Sequence, residues 1–360
     1  CLLICVLFSL LIFVDYRAFN DHPHQASTRV CGQFFDSLGP LPVAKSRVVP
    51  DLYVIDVDAI HILQDHCINS SVPSLPVSIM INEEHRGLII DRSKFNVTYF
   101  TEMSDFFLLH SNPTRALLKI DFARFNEFMV PTDTWKLSEF LKRSRLIECL
   151  GLKTERDESD RERVLSPYIE SNLAKLRDAL INIKSIPFLN SGTLLGWYRE
   201  CSIIPHTSDA DFAVRYEDFN SNMTEYLENL DDFYLGYKLG RENDSLEFKM
   251  SAREQTSDYI DLFIMYEQDS DHLYTAGVGL DGRRIKWIIP KPREFCSGIL
   301  QEKLFFVPCN VEETLKASYG NWKVDHPTRY YSWSDSGADA VPNGKFTEEE
   351  MKMYYIRYPE

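Results

Sequence analysis

Ile186-Pro187-Phe188-Leu189-Asn190-Ser191-Gly192-Thr193-Leu194-Leu195-Gly196-Trp197-Tyr198-Arg199, and after it Asp209-Ala210-Asp211-Phe212-Ala213-Val214, hold the strongest structural signals of the chain. Ile186–Leu189 is a short apolar run that reads as a strand. Asn190–Thr193 reads as a turn, and Leu194–Arg199 as a short helix. Asp209 and Asp211 lie two apart on a second strand, so both carboxylates share one face while Ala210, Phe212 and Val214 take the other. Two carboxylates held this close repel unless a cation lies between them, and Mg²⁺ favours a few carboxylates together with substrate phosphates. The Ser191-Gly192 turn presents backbone N–H groups at a helix start, a setting that suits phosphate oxygens.

Upstream, Tyr168–Ile183 carries apolar residues at Ile169, Leu173, Leu176, Leu180 and Ile183, the spacing of an amphipathic helix. Downstream, Leu246–Met250 and Tyr259–Tyr266 read as strands. Asp261 stands inside the second, where an acid is costly unless paired or coordinated, so it is the expected third ligand. The order of helix, strand, Ser-Gly turn, helix and acidic strands predicts an α/β (α+β) fold, a mixed sheet with flanking helices. The nearly all-charged run Lys153–Arg163 reads as a solvated segment, and a linker is placed at 153–164. The catalytic domain is then 165–360, preceded by a smaller α/β domain at 46–152. In that smaller domain Leu52–Ile55, Pro76–Ile81 and Gly87–Ile90 look like strands, while Leu108–Met129 shows no clean period. Asp56-Val57-Asp58 follows the first of these strands and competes for the metal role, because a glycosyltransferase of the GT-A type would use such a pair with a nucleotide sugar. Asp269-Ser270-Asp271 sits in a polar stretch and reads as a turn.

The chain of 360 residues is 44% hydrophobic and carries a formal net charge of −15. That leaves no basic field for a phosphate backbone, so nucleic acid is not an expected partner. Cys1–Val14 is an uncharged, largely apolar run, shorter than the ~20 residues of a bilayer span. With no Met at its start, it is expected to be the remnant of an N-terminal signal-anchor, followed by a polar stem at 15–45. Cys31, Cys67, Cys149, Cys201, Cys296 and Cys309 form an even set with its pairing open, and show no C-x-x-C spacing for zinc. Sequons stand at Asn69, Asn96, Asn222 and Asn243. Together these features predict a lumenal, single-pass type II glycoprotein.

The segment Phe188–Pro205, with Asp244-Ser245-Leu246-Glu247, Ile260-Asp261-Leu262-Phe263, Val307-Pro308-Cys309 and Tyr319-Gly320, closely resembles the fukutin and wider LicD family of the nucleotidyltransferase superfamily. The resemblance is strong over 165–345 and weaker before 150, mainly at Leu52–Leu63. It implies a Golgi or ER membrane phosphotransferase. Such an enzyme would move a polyol phosphate, such as ribitol 5-phosphate, from CDP-ribitol or a related CDP-alcohol to a hydroxyl of a protein-linked (O-mannosyl) glycan, releasing CMP. Carried over, Asp209, Asp211 and Asp261 would hold Mg²⁺ or Mn²⁺ and carry catalysis. Ser191, Gly192 and Thr193 would cradle phosphate, and Arg199 and Lys249 would reach the donor phosphates. Many LicD-type sequences have further acids just after the Pro; here Thr207 and Ser208 stand there, which argues against a second tightly held metal. A complex with other glycosylation enzymes is also implied, and a non-catalytic scaffold within such a complex is the remaining alternative.

Overall fold

The computed structural model describes residues 50–64, 76–125, 128–326, 332–334 and 337–359. The expected anchor and stem, together with Cys31, Cys67 and Asn69, lie outside the described residues. Contacts divide the chain into two units. One holds the described residues up to Glu102, with Leu109–Ser111 and Lys119–Glu139; the other holds Met103–Leu108, Asn112–Leu118 and everything from Phe140 onward. The boundary expected at 153–164 therefore falls inside the second unit.

In the first unit the strands are β1 (Leu52–Val54), β2 (Val77–Asn82), β3 (Phe95–Glu102), β6 (Phe122–Phe125) and β7 (Phe128–Pro131), with helix α1 (Val57–Gln64) after β1. Two further strands, β4 (Phe106–His110) and β5 (Arg115–Leu118), fall in the stretch that showed no clean period. β2 runs parallel to β3 and antiparallel to β1; β1 is parallel to β7, which is antiparallel to β6. Leu52 and Val54 are buried on either side of half-buried Tyr53, whose ring meets Phe100 and Phe122 edge-on. Gly87–Ile90 is turn and irregular backbone rather than a strand, although Leu88 and buried Ile90 flank exposed Ile89; the run makes no strand pairing.

In the second unit, helices α2 (Thr134–Arg143, its C-terminal part) and α3 (Ile169–Asn182) precede β8 (Pro187–Leu189), α4 (Ser191–Glu200) and β9 (Asp209–Arg215). There follow α5 (Met223–Glu228), β10 (Phe233–Leu239), β11 (Glu247–Ala252), β12 (Gln255–Glu267), β13 (His272–Val278), β14 (Arg283–Pro290), β15 (Phe295–Leu300) and β16 (Lys303–Pro308). The chain closes with α6 (Val311–Tyr319), β17 (Ala340–Lys345), α7 (Glu348–Tyr354) and β18 (Tyr355–Arg357). The main sheet runs β15-β16-β8-β9-β12-β11-β10-β18, with β13, β14 and β17 branching from the far end of β12. β9 and β12 are parallel, while β8–β9, β11–β12 and β10–β11 are antiparallel. This is the mixed α+β fold expected. Alternation decides the faces: Ala210, Phe212 and Val214 of β9 and Ile260, Leu262 and Ile264 of β12 are fully buried in one apolar cluster with Leu173, Leu176 and Leu180 of α3.

The charged run at 153–163 is mostly exposed, as expected, but two of its charges are anchored in the second unit. Arg156 is 8% exposed and pairs with Glu200 and Asp325, and Asp160 is buried. Charges in sequence are read as solvent-facing only until distant partners arrive, and here those partners lie at the end of α4 and beyond α6. Cys149 pairs with Cys201, and Cys296 with Cys309, which closes the alternatives for four cysteines. Asn96, Asn222 and Asn243 are exposed. No helix among the described residues is long and apolar enough to cross a membrane.

Candidate active site

The face of the main sheet opposite the apolar cluster carries charge. In the strand register Asp211 stands beside Asp261, and Asp261 stands beside Lys249. Asp209 lies two residues before Asp211 on β9, and Glu247 two residues before Lys249 on β11, so both project on the same side as that row. Glu247 is registered opposite Phe263 and is thus a diagonal neighbour of Asp261, roughly 7–8 Å away between backbones. Asp211, Asp261 and Glu247 are buried, and Asp209 is half-buried.

Local structure holds the acids in place. Asp211 N–H donates to the Thr193 hydroxyl at 2.7 Å, and Thr193 N–H reaches Asp211 Oδ2 at 3.4 Å. A Cβ added at Gly192 would lie 3.4 Å from the same oxygen. The start of α4, with Ser191 at φ 44°, is therefore turned on the Asp211 carboxylate. The Thr207 hydroxyl donates to Asp209 Oδ1 at 3.0 Å. Lys249 Nζ lies 3.1 Å from Asp261 Oδ2.

Burial and mutual repulsion set the electrostatics. Burial, then the charges of Asp209 and Asp261, push the Asp211 carboxyl well above its ordinary range, and the Thr193 and Gly192 N–H groups offset only part of this. Burial pushes Asp261 up to about 7, against the opposing Lys249 ammonium and with the help of Asp209. Burial, then Asp261, pushes Glu247 up to about 8, again against Lys249. Burial opposes the Lys249 charge, but Asp261 and Glu247 hold its ammonium well above the usual lysine range. One cation thus faces four carboxyl groups, and Asp261 Oδ1 is buried without a hydrogen-bond partner. An orphaned carboxylate oxygen beside two further acids is a fitting donor set for a hard divalent cation that takes oxygen ligands.

Several expected roles change. Arg199 does not offer its charge to a phosphate. Its guanidinium is 2% exposed and is used on Glu200, Asp325 and the backbone carbonyls of Trp322 and Val324. Gly192 and Thr193 direct their N–H groups to Asp211, so they position that carboxylate rather than cradle phosphate directly. Lys249 is tied to Asp261. Other cations of the second unit are taken up by acids outside this row: Arg284 pairs with Asp244, Arg283 with Asp281 and Lys291 with Glu267. The competing pair in the first unit is a helix cap. Asp56 Oδ1 accepts Ala59 N–H and Oδ2 accepts Ser78 N–H, while Asp58 is exposed on the first turn of α1. That removes the metal pair on which a GT-A reading rested. A further cluster, Asp160, His206 and Asp325, brings ligand atoms within 4.8 Å of one another, but Asp325 already answers two arginines. Glu247 was missed as a site residue. The signal available was a charged pair at i and i+2 in an otherwise apolar strand, the same spacing that marks Asp209 and Asp211.

The family model described as LicD/FKTN/FKRP, nucleotidyltransferase domain, matches residues 186–292, which span all of these acids, and a W02B3.4-like N-terminal domain matches 43–148. The chain is 36% identical to the Caenorhabditis elegans uncharacterized protein W02B3.4 over 91% of its own length and 85% of that protein. It is 29% identical to T07A5.1 of the same organism, over 84% and 83% respectively. It is 30% identical to the human ribitol-5-phosphate transferase FKTN over 61% of its own length and 48% of that protein, so it spans about half of that relative. On the motif, the acid-bearing sheet and these matches, the chain belongs to the fukutin/LicD family.

Proposed function

We propose that the chain is a metal-dependent phosphotransferase that moves a polyol phosphate from a CDP-activated alcohol, CDP-ribitol or a close relative, to a hydroxyl of a protein-linked glycan. The observation that carries the reading is the trio Asp209, Asp211 and Asp261 with the orphaned Asp261 Oδ1, inside the segment matched by the LicD model. Asp209, Asp211 and Asp261 would hold Mg²⁺ or Mn²⁺. When bound, such an ion neutralises the donor diphosphate and makes its phosphorus open to attack. The chain's own groups set the geometry: Thr193 and Gly192 fix Asp211, Thr207 fixes Asp209, and Lys249 fixes Asp261. Ser191, at the start of α4, would meet a phosphate oxygen. In the transfer, the acceptor oxygen forms a bond to the polyol phosphorus and the bond from that phosphorus to CMP breaks. The two disulfides of the second unit and the exposed sequons favour an oxidising, lumenal setting such as the Golgi or ER, with the protein held there by its N-terminal segment. The test is CMP release from CDP-ribitol, CDP-glycerol and CDP-choline, with UDP-sugars as controls, in Mn²⁺ and in EDTA. Metal-dependent release from a CDP-polyol is the expected result. Neither binding nor release with any CDP-alcohol would favour a scaffold.

A further inference from the structure

Most buried acids of the second unit have a partner. Asp105 pairs with Arg177, Glu170 with Arg163, Asp258 with Ser166 and Asp339 with Ser318. Glu247 is 7% exposed, yet its carboxyl makes no hydrogen bond or ion pair with the described residues. It also stands on the charged face of the sheet rather than in the apolar cluster, beside a lysine committed to another acid. Its oxygens are not among the side-chain atoms sealed from solvent, so a mostly buried carboxyl without a protein partner is left open to a ligand hydroxyl on this face.

Resting on the phosphotransferase reading, we propose that Glu247 receives the proton of the acceptor hydroxyl. Of the four acids, Asp261 is the natural rival for this task. Its Oδ2 is occupied by Lys249, and its Oδ1 is the oxygen best suited to the cation. Asp209 and Asp211 belong to the same donor set and are held by Thr207 and by the start of α4. Glu247 is the remaining carboxyl on that face, one strand over from Asp261 and on the far side of its row from Asp209. The step balances: the acceptor oxygen forms its bond to phosphorus, the phosphorus–oxygen bond to CMP breaks with its electron pair leaving on CMP, and the acceptor proton passes to the Glu247 carboxylate. The groups that face Glu247 are Lys249 on its own strand, Asp261 of β12, Asp209 of β9 and Tyr355 of β18.

The test uses the full chain with Mn²⁺, CDP-ribitol and an O-mannosyl glycopeptide, and compares Glu247→Gln with Asp211→Asn. Glu247→Gln is expected to bind CDP in the presence of Mn²⁺ within about twofold of the unaltered protein, and to lower kcat by roughly 10²–10³-fold, as loss of a general base does. Asp211→Asn is expected to lose the Mn²⁺-dependent CDP binding itself. If Glu247→Gln does not fold, Glu247→Asp supplies the readout, with CDP binding kept and kcat lowered. Undiminished kcat in the Gln variant, or loss of its CDP binding, overturns the assignment while leaving the phosphotransferase reading intact. An unaltered protein that transfers nothing from CDP-ribitol overturns that reading and this assignment with it.

Discussion

Each unit of the chain carries an Asp-x-Asp pair, and the two pairs meet opposite surroundings. In the first unit Asp56 precedes a helix, and its oxygens take the N–H groups of Ala59 and Ser78, while Asp58 points to water. Both carboxylates of that pair are answered by backbone dipoles or by solvent. In the second unit Asp209 and Asp211 lie along a strand, face a third acid across the register and a fourth on the diagonal, and share a single lysine. The lesson is that the element under the motif decides its use. A helix start consumes carboxylates as caps, whereas a strand aligns them on one face and leaves them under-compensated.

The comparison can be broken in several ways. The largest expected effect lies outside the acids, at Arg199. If it is a structural cation rather than a phosphate contact, Arg199→Met leaves Glu200 and Asp325 to Arg156 alone and the carbonyls of Trp322 and Val324 without their donor, and costs about 3–5 kcal/mol of stability, read by denaturant unfolding. The folded fraction should keep its CDP affinity; a stable variant with weakened CDP binding would restore Arg199 to the site.

Next comes metal-free stability. Glu247 is raised from about 4.3 in the unfolded chain to about 8 when folded. A carboxyl raised on folding is an ionisation that the native state resists, so wild-type stability falls as pH climbs between those values. Glu247→Gln removes that slope and should be more stable at pH 8 by about 1–3 kcal/mol, with the difference vanishing near pH 4. Thermal unfolding across pH checks it, and equal slopes would contradict it. Asp58→Asn, the exposed counterpart, should show no such gain.

The same protons govern the cation. If Asp211 and Asp261 are its ligands they must be ionised to bind it, so Mn²⁺ affinity should rise with pH, approaching roughly tenfold per unit for each proton displaced, with the Asp261 contribution levelling off above about pH 7. Calorimetry in two buffers of different ionisation heat counts those protons, and zero release would argue against these ligands. The smallest effect belongs to the cap: Asp56→Ala should cost about 1 kcal/mol and leave transfer unchanged.

Much of the second unit was legible because local patterns carry it. Alternation placed Asp209 and Asp211 on one face, the three-four spacing of Ile169 to Leu180 marked α3, and the Ser191-Gly192 turn marked the start of α4. What escaped depends on long-range pairing. Glu247 joins the site only through the β11–β12 register. Arg199 looked like a phosphate contact because Asp325, its main carboxylate beyond the neighbouring Glu200, is remote in sequence. The pairing of Arg156 within the otherwise exposed run at 153–163 escaped for the same reason. In the first unit, strands of four residues such as β6 and β7 are too short to show a period. The cap at Asp56 depended on Ser78 as well as on α1.

The central claim is that the β9–β11–β12 face, and not the first unit's pair, is the metal and nucleotide site. Mn²⁺-dependent CMP release from CDP-ribitol, measured side by side for the unaltered chain, Asp211→Asn and Asp58→Asn, tests it most directly. The account predicts Asp58→Asn equal to the unaltered chain and Asp211→Asn at the EDTA background. Activity that survives Asp211→Asn but disappears with Asp58→Asn would contradict it.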